Sequence, residues 1–340
     1  MSELRKDPIV GRWIIIAPER LNKIDEIEEK EIEQSQVSFC PFCEGHELNT
    51  PKEIFAFRYG GSRPNTPGWH TRVVPNKFPV LKIEGDIGRT GIGMYDMMNG
   101  LGAHEVIIET PEHNKKIFDF DIQQIKYILS SYKYRLDDLK KDVRFKYILI
   151  FKNDGERTGT VIQHSHSQLI ATPIVPIRVK EELEGAKGYY EYKERCIYCD
   201  IIKEELNCYQ RIIIENTHFV SFAPFASRFP FETWIIPKRH NAYFNYIEDN
   251  EITSLAEILK ETLKRINIAL HNPAYNYILH IAPVNIYMKK GPTLEEDFHW
   301  HIEIMPRIKR VAGFEWGSGF YINSTSPEDA ASILKAVEIK

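Results

Sequence analysis

One order of elements occurs twice in this chain and restricts its folding more than any other feature: Cys-x-x-Cys, a strand ending in His, a helix, a strand, then His-x-His. In the first copy Cys40 and Cys43 precede HEVIIETPEH, which ends at His113, followed by an amphipathic stretch, FKYILIFKN and His164-Ser-His166. In the second, Cys196 and Cys199 precede ETWIIPKRH, which ends at His240, followed by a second amphipathic stretch, YNYILHIAP and His299-Trp-His301. Few residues are identical between the copies, but the order matches throughout. A chain of 340 residues is long enough for about two domains, each with its own core. The units are expected at residues 1–180 and 181–340, joined by the charged stretch 175–194, which reads as solvated surface.

Apolar residues at steps of three and four predict one main helix per unit: Ile122, Ile125, Leu129, Tyr132, Leu136 and Leu139 in the first, and Ile252, Leu255, Leu259, Ile266 and Leu270 in the second. The flanking segments are rich in Ile, Tyr, Phe and Val, as half-buried strands are. Each unit therefore reads as an antiparallel sheet covered by a helix, and the fold class as α+β.

Hydrophobic and charged fractions of 43% and 27% are those of a globular protein. A net charge of -4 argues against a nucleic-acid surface, though not against a local basic pocket for one nucleotide. No apolar run suits a signal peptide or a membrane span, so no membrane partner and a cytoplasmic location are expected. In a reducing compartment two CxxC pairs point first to metal ligands or redox centres. A redox pair should open a helix after a strand in a βαβ unit, and neither pair has that setting.

Zinc in a closed structural site takes four Cys and His ligands. The repeat supplies Cys40, Cys43, His113 and His164 in the first unit and Cys196, Cys199, His240 and His299 in the second, so two zinc ions per chain are expected. The alternatives are that one set is a vestige without metal, or that iron occupies the second, although two thiolates and two imidazoles favour zinc. His46, His70, His104, His218 and His271 have no repeat partner or motif, and ordinary hydrogen bonding is their default reading. His280 and His301 lie near the second set as spare candidates.

Alternation along a strand puts His164, His166 and Gln168 of HSHSQ on one face. An imidazole can attack phosphorus, and an amide can donate to phosphoryl oxygens without delivering a proton. In the second unit the position of Gln168 is held by Glu303, whose carboxylate would repel a phosphoryl group. The first unit is therefore expected to react, with His166 as nucleophile, Gln168 on the phosphoryl oxygens and His164 tied to metal. The loop FKNDGERTGT can bring backbone N–H groups to phosphates and reads equally as an ordinary turn. A nucleotide hydrolase is disfavoured because no histidine stands at position 168 to protonate a leaving group. A non-enzymatic nucleotide-binding or zinc scaffold is the reading from a different class.

DPIVGRWIIIAPER, FCPFC, PNKFP, PEH, FKNDG, HSHSQ, PFETWIIPKRH, HWHIEIMPR and GFEWGSGFYIN together resemble the galactose-1-phosphate uridylyltransferases of the histidine-triad superfamily and their relatives the ADP-glucose phosphorylases, over nearly the whole chain. The resemblance implies a duplicated histidine-triad fold, a covalent nucleotidyl intermediate on His166 and contact of Gln168 with phosphoryl oxygens. It further implies Arg20 as a phosphate contact, Asn76 and Asn153 as nucleotide contacts, Thr160 near the phosphates, and Glu315 as a hexose contact reaching a neighbouring subunit, hence a homodimer. The expected reaction moves UMP from UDP-glucose to galactose 1-phosphate by a ping-pong route; the alternative uses ADP-glucose with phosphate as acceptor. The partners are thus a sugar nucleotide and a sugar phosphate. Two departures bear on substrate choice: the best-known uridylyltransferases read HPHGQ where this chain reads HSHSQ, and their second metal site uses a carboxylate and histidines.

Overall fold

The computed structural model of the protein describes residues 2–23, 39–155, 158–160, 162–286 and 294–339. Ten strands make one sheet: β1 (Phe55–Arg58), β2 (Trp69–Pro75), β3 (Ala103–Ile108), β4 (Tyr147–Asp154), β5 (His166–Thr172), β6 (Ile212–Glu215), β7 (Phe219–Phe222), β8 (Thr233–Pro237), β9 (Tyr275–His280) and β10 (His301–Pro306). Their spatial order is β6-β7-β8-β10-β9-β4-β5-β3-β2-β1, with antiparallel neighbours throughout. Numbered within its own half, each set of five has the same order, 1-2-3-5-4, so the duplication is present in topology as well as in motif.

The two halves are not separate sheets. β4 and β9 are the inner edges of their units, and they pair with each other, Phe151 opposite Ile278 and Asn153 opposite Asn276. Each edge would otherwise leave a row of backbone donors and acceptors unpaired, and the seam satisfies both rows at once.

The expected helices form as α1 (Ile122–Leu139) and α4 (Asp249–Ala269). Asp121 caps α1 by accepting from the Gln124 N–H at 2.7 Å. Ile125, Leu129, Tyr132, Leu136 and Leu139 are buried on α1, and Ile252, Leu255, Leu259, Leu263 and Ile266 on α4; Leu270 is the residue that ends α4. Both helices lie on the same face of the sheet, where Ile107, Ile150 and Leu169 of one half join Tyr277, Ile302 and Ile304 of the other in a single core.

The connector is a helix, α2 (Ile177–Lys193), and the expected boundary at 180/181 falls inside it. α2 leads into α3 (Ile197–Cys208), whose N-cap is Cys196, so the second CxxC does open a helix, although α2 and not a strand precedes it. α2, α3 and residues 7–12 cover the other face of the second half around a cavity of about 760 Å³. Gly185 permits this packing: a Cβ there would stand 1.8 Å from the Ile9 carbonyl oxygen. A small separate sheet pairs Glu3–Lys6 with Trp13–Ile16, and Trp13–Ile16 in parallel with Tyr321–Asn323. Among the described residues no helix is long and apolar enough to cross a membrane.

Candidate active site

β5 carries the candidate chemistry, set between β3 and β4 in the middle of the first half. Gln168 pairs with Val106 on β3 and Phe151 on β4, so Asn153, two residues along β4, lies on the same face at the level of His166. His166 is 8% exposed. Its Nδ1 lies 2.7 Å from the His164 carbonyl oxygen, an acceptor, so Nδ1 carries the proton and Nε2 presents its lone pair. Burial lowers the His166 pKa, which keeps that lone pair free at neutral pH. Phe42, between the two cysteines of the first pair, meets the His166 ring edge-on at 5.3 Å and holds it from the side.

The serines of HSHSQ, Ser165 and Ser167, face the opposite way, into the core. Ser165 Oγ donates to Glu109 Oε2 at 2.6 Å, and Ser167 Oγ donates to Glu109 Oε1 and contacts the Tyr132 hydroxyl. Lys152 donates to Glu109 Oε2 at 2.6 Å, to Ser165 Oγ at 3.0 Å and to the His166 carbonyl at 3.2 Å. Glu109 is 0% and Lys152 1% exposed. A buried ion pair is tolerated when its remaining donors and acceptors are met, and here the strand that bears His166 meets them. No single-residue motif marks Glu109 or Lys152; the available signal was their apolar setting, a charge inside HEVIIETP and another inside YILIFKND.

Both expected metal sets assemble. Cys40, Cys43, His113 and His164 bring one donor atom each to within 4.8 Å of one another, as do Cys196, Cys199, His240 and His299. For tetrahedral zinc, bond lengths of about 2.3 Å to sulfur and 2.0–2.1 Å to nitrogen put unlike ligands about 3.5 Å apart. Cys43 Sγ stands 3.4 Å from His113 Nδ1 and 3.6 Å from His164 Nδ1, and Cys199 Sγ 3.4 Å from His240 Nδ1 and 3.8 Å from His299 Nδ1. Two of the four outer nitrogens are also satisfied, His164 Nε2 donating to the Thr110 carbonyl at 2.7 Å and His240 Nε2 to that of Glu295 at 2.8 Å, which leaves their Nδ1 atoms to ligate. Burial pushes His164 down to about 4, so it is a neutral donor. The residues therefore fit zinc in both halves.

The second half repeats the framework without the same chemistry. His301 Nδ1 donates to the His299 carbonyl at 3.1 Å, as His166 does to His164, but Glu303 occupies the amide position and is bound by Arg228. His280 sits between Glu182 at 3.1 Å and Glu303 at 3.3 Å and stacks on His301 at 4.6 Å. Burial opposes its charge, yet Glu182 and Glu303 push His280 up to about 10. His280 and His301 thus join Glu182 in a third group of donor atoms within 4.8 Å and stand outside the second cysteine set.

The other expected contacts divide. Asn153 accepts from Asn276 across the seam at 2.6 Å, and Asn76 touches His104, which touches Gln168. Thr160 Oγ1 donates to the Ile162 carbonyl at 3.1 Å; Glu156 and Arg157 of the same loop lie outside the described residues. Arg20 is exposed on a short turn at Pro18–Lys23, and no contact among the described residues joins it to His166. Glu315 accepts from the Ala312 N–H at 2.7 Å and from Lys309 at 3.2 Å, also away from His166.

A model of the family described as galactose-1-phosphate uridyl transferase, N-terminal domain, matches residues 1–176, and one of a domain of unknown function matches residues 111–338. An ADP-glucose phosphorylase from Arabidopsis thaliana is 36% identical over 99% of this chain and 93% of its own length. A galactose-1-phosphate uridylyltransferase from Thermotoga maritima is 27% identical over 100% of both. The crystal structure of an A. thaliana ADP-glucose phosphorylase with bound ADP-glucose superposes with a TM-score of 0.83 at 35% identity and full coverage of both chains. The solved structure of a uridylyltransferase superposes at 0.75 with 29% identity, over 99% of this chain and 98% of that one. Family match, full-length relatives and duplicated sheet agree, and the chain belongs to the galactose-1-phosphate uridylyltransferase family.

Proposed function

We propose that this protein is a UDP-glucose:hexose-1-phosphate uridylyltransferase in which His166 carries the nucleotidyl group. The observation that carries this reading is the fixed tautomer of His166 beside Gln168 on one face of β5, set against Glu303 at the same place in the other half. His166 Nε2 attacks the α-phosphorus, a P–N bond forms, and the bond from that phosphorus to the bridging oxygen breaks, releasing glucose 1-phosphate. A phosphate oxygen is a good leaving group without protonation, so a neutral amide at position 168 suffices where a proton donor would otherwise be needed. A phosphate oxygen of galactose 1-phosphate then attacks the same phosphorus and the P–N bond breaks, restoring His166. The amide N–H groups of Gln168, with Asn76 and Asn153, would hold the phosphoryl oxygens and nucleoside; zinc in each cysteine–histidine set would fix the loops around β5 and β10 and take no part in the transfer.

The 36% identity to the A. thaliana enzyme favours a second reading, transfer of AMP from ADP-glucose with phosphate as acceptor. Intact-mass measurement after incubation with each sugar nucleotide alone separates the two. A UMP adduct is expected with UDP-glucose; an adduct formed with ADP-glucose alone overturns the uridylyl assignment in favour of the second reading.

The proposal includes a cytoplasmic homodimer. None of the five cysteines is in a disulfide, as suits a reducing compartment. The hairpin Thr90–Ile92 and Tyr95–Met97 exposes Ile92, Met94, Tyr95 and Met97, and Phe314 and Trp316 are exposed beside Glu315, apolar surface of the kind a second copy would cover. Sedimentation equilibrium should give twice the chain mass at micromolar concentration, and a monomer there would remove the dimer from the proposal.

A further inference from the structure

His104 had no repeat partner or motif, but β3 carries it to the strand of His166, where it is 8% exposed and opposite Ile170 of β5. Its Nε2 lies 2.9 Å from Gln168 Oε1, and its Nδ1 lies 3.2 Å from the backbone nitrogen of Val80. The Val80 N–H can only donate, so Nδ1 must accept, and the ring proton is placed on Nε2. Nε2–H then donates to Gln168 Oε1, which fixes which way the Gln168 carboxamide faces. Its oxygen is held by His104, and Nε2 of Gln168 has no hydrogen-bond partner among the described residues.

Asn76 adds a second constraint. Its Nδ2 stands 3.0 Å from the same ring nitrogen, while its Oδ1 accepts from the Phe78 N–H at 2.9 Å. With the His104 proton directed to Gln168, the Asn76 amide N–H groups face a neighbouring donor and are better satisfied by an anionic oxygen from a ligand.

We infer that His104 is a positioning residue for nucleotidyl transfer: it holds the Gln168 oxygen so that only the amide N–H groups face the phosphoryl group. This rests on the transfer reading above. In an unheld glutamine the amide can turn over and present its oxygen lone pairs to the phosphoryl oxygens, a repulsive arrangement with no catalytic use. In the second half the position of His104 is taken by Glu232, whose Oε2 accepts from the Arg228 and Phe229 N–H groups, and Glu303 leaves no amide there for it to hold.

The test is single-turnover formation of the nucleotidyl enzyme with UDP-glucose, and with ADP-glucose in parallel, read by intact mass after rapid quenching. His104→Ala is expected to slow adduct formation about 10- to 100-fold, the usual cost of losing a residue that orients a reacting group, with little change in KM for the sugar nucleotide. His104→Gln, whose amide N–H reaches the place of Nε2, should restore most of the rate, and His104→Asn, which is too short, should not. In a Gln168→Ala background the His104→Ala change should add nothing further, because the group it orients is gone. Additive losses, or equal behaviour of the Gln and Asn variants, would overturn the assignment; should the Ala variant fail to fold, the Gln and Asn contrast still decides. An unlabelled wild-type enzyme overturns the transfer reading itself, whereas labelled wild type with an unslowed Ala variant overturns only the role of His104.

Discussion

His166→Ala is expected to form no nucleotidyl adduct with any sugar nucleotide and to lower transfer by at least about 10⁴-fold, the scale of loss when a covalent nucleophile is removed. Among the described residues around β5, no other group is placed to substitute. Gln168 is a neutral amide, His104 has both ring nitrogens engaged, and His164 has Nε2 on the Thr110 carbonyl and Nδ1 among the cysteines. His301 has the same tie to its strand as His166, but two carboxylates lie close to it, Glu303 on its own strand and Glu182 facing it across His280. His301→Asn should therefore keep both the adduct and the transfer. Intact mass and steady-state rates measure both variants, and an adduct on the His166→Ala protein would end the assignment of His166 as the nucleophile.

The contrast between His166 and His301 was legible in the sequence because it depends on short spacings: two residues within a strand separate His166 from Gln168 and His301 from Glu303. The metal sets were legible for a related reason, since a doubled order of motifs marks residues far apart as equivalent. Pairing that depends on backbone alone was not. Nothing in the side chains of Tyr275–His280 says that this strand joins Tyr147–Asp154 across the middle of the chain, because backbone hydrogen bonds carry no residue-type signal. The groups that hold β5 were hidden differently. Glu109, Lys152 and the two serines look like unrelated polar residues until strand alternation turns them to one side and the core closes over them. His104 was passed over because its partner Gln168 lies on another strand, 64 residues away, and only the register of β3 against β5 brings them together.

Cys43→Ser should remove one of two zinc ions per chain and lower Tm by on the order of 10 °C or more, since structural zinc contributes roughly 10–16 kcal/mol of apparent binding free energy in small zinc-dependent folds and only part of that is lost from a larger core. Cys43 is shared between His113 and His164, so its loss releases both the segment that follows β3 and the residue whose carbonyl fixes the His166 tautomer. Activity should therefore fall in the Cys43→Ser protein even at temperatures where it remains folded. Cys199→Ser makes the informative comparison. It loosens His240 and His299 in the same manner, but the strand beyond them bears Glu303 and carries no transfer in the proposed mechanism, so zinc and Tm should fall while the rate of the folded protein holds. Elemental analysis, thermal unfolding and adduct formation on the two variants separate the metal's contribution to stability from its contribution to aiming His166. Two zinc ions retained by Cys43→Ser with an unchanged Tm would remove the first site, and equal losses of activity in both variants would show that the second site also supports the reacting strand.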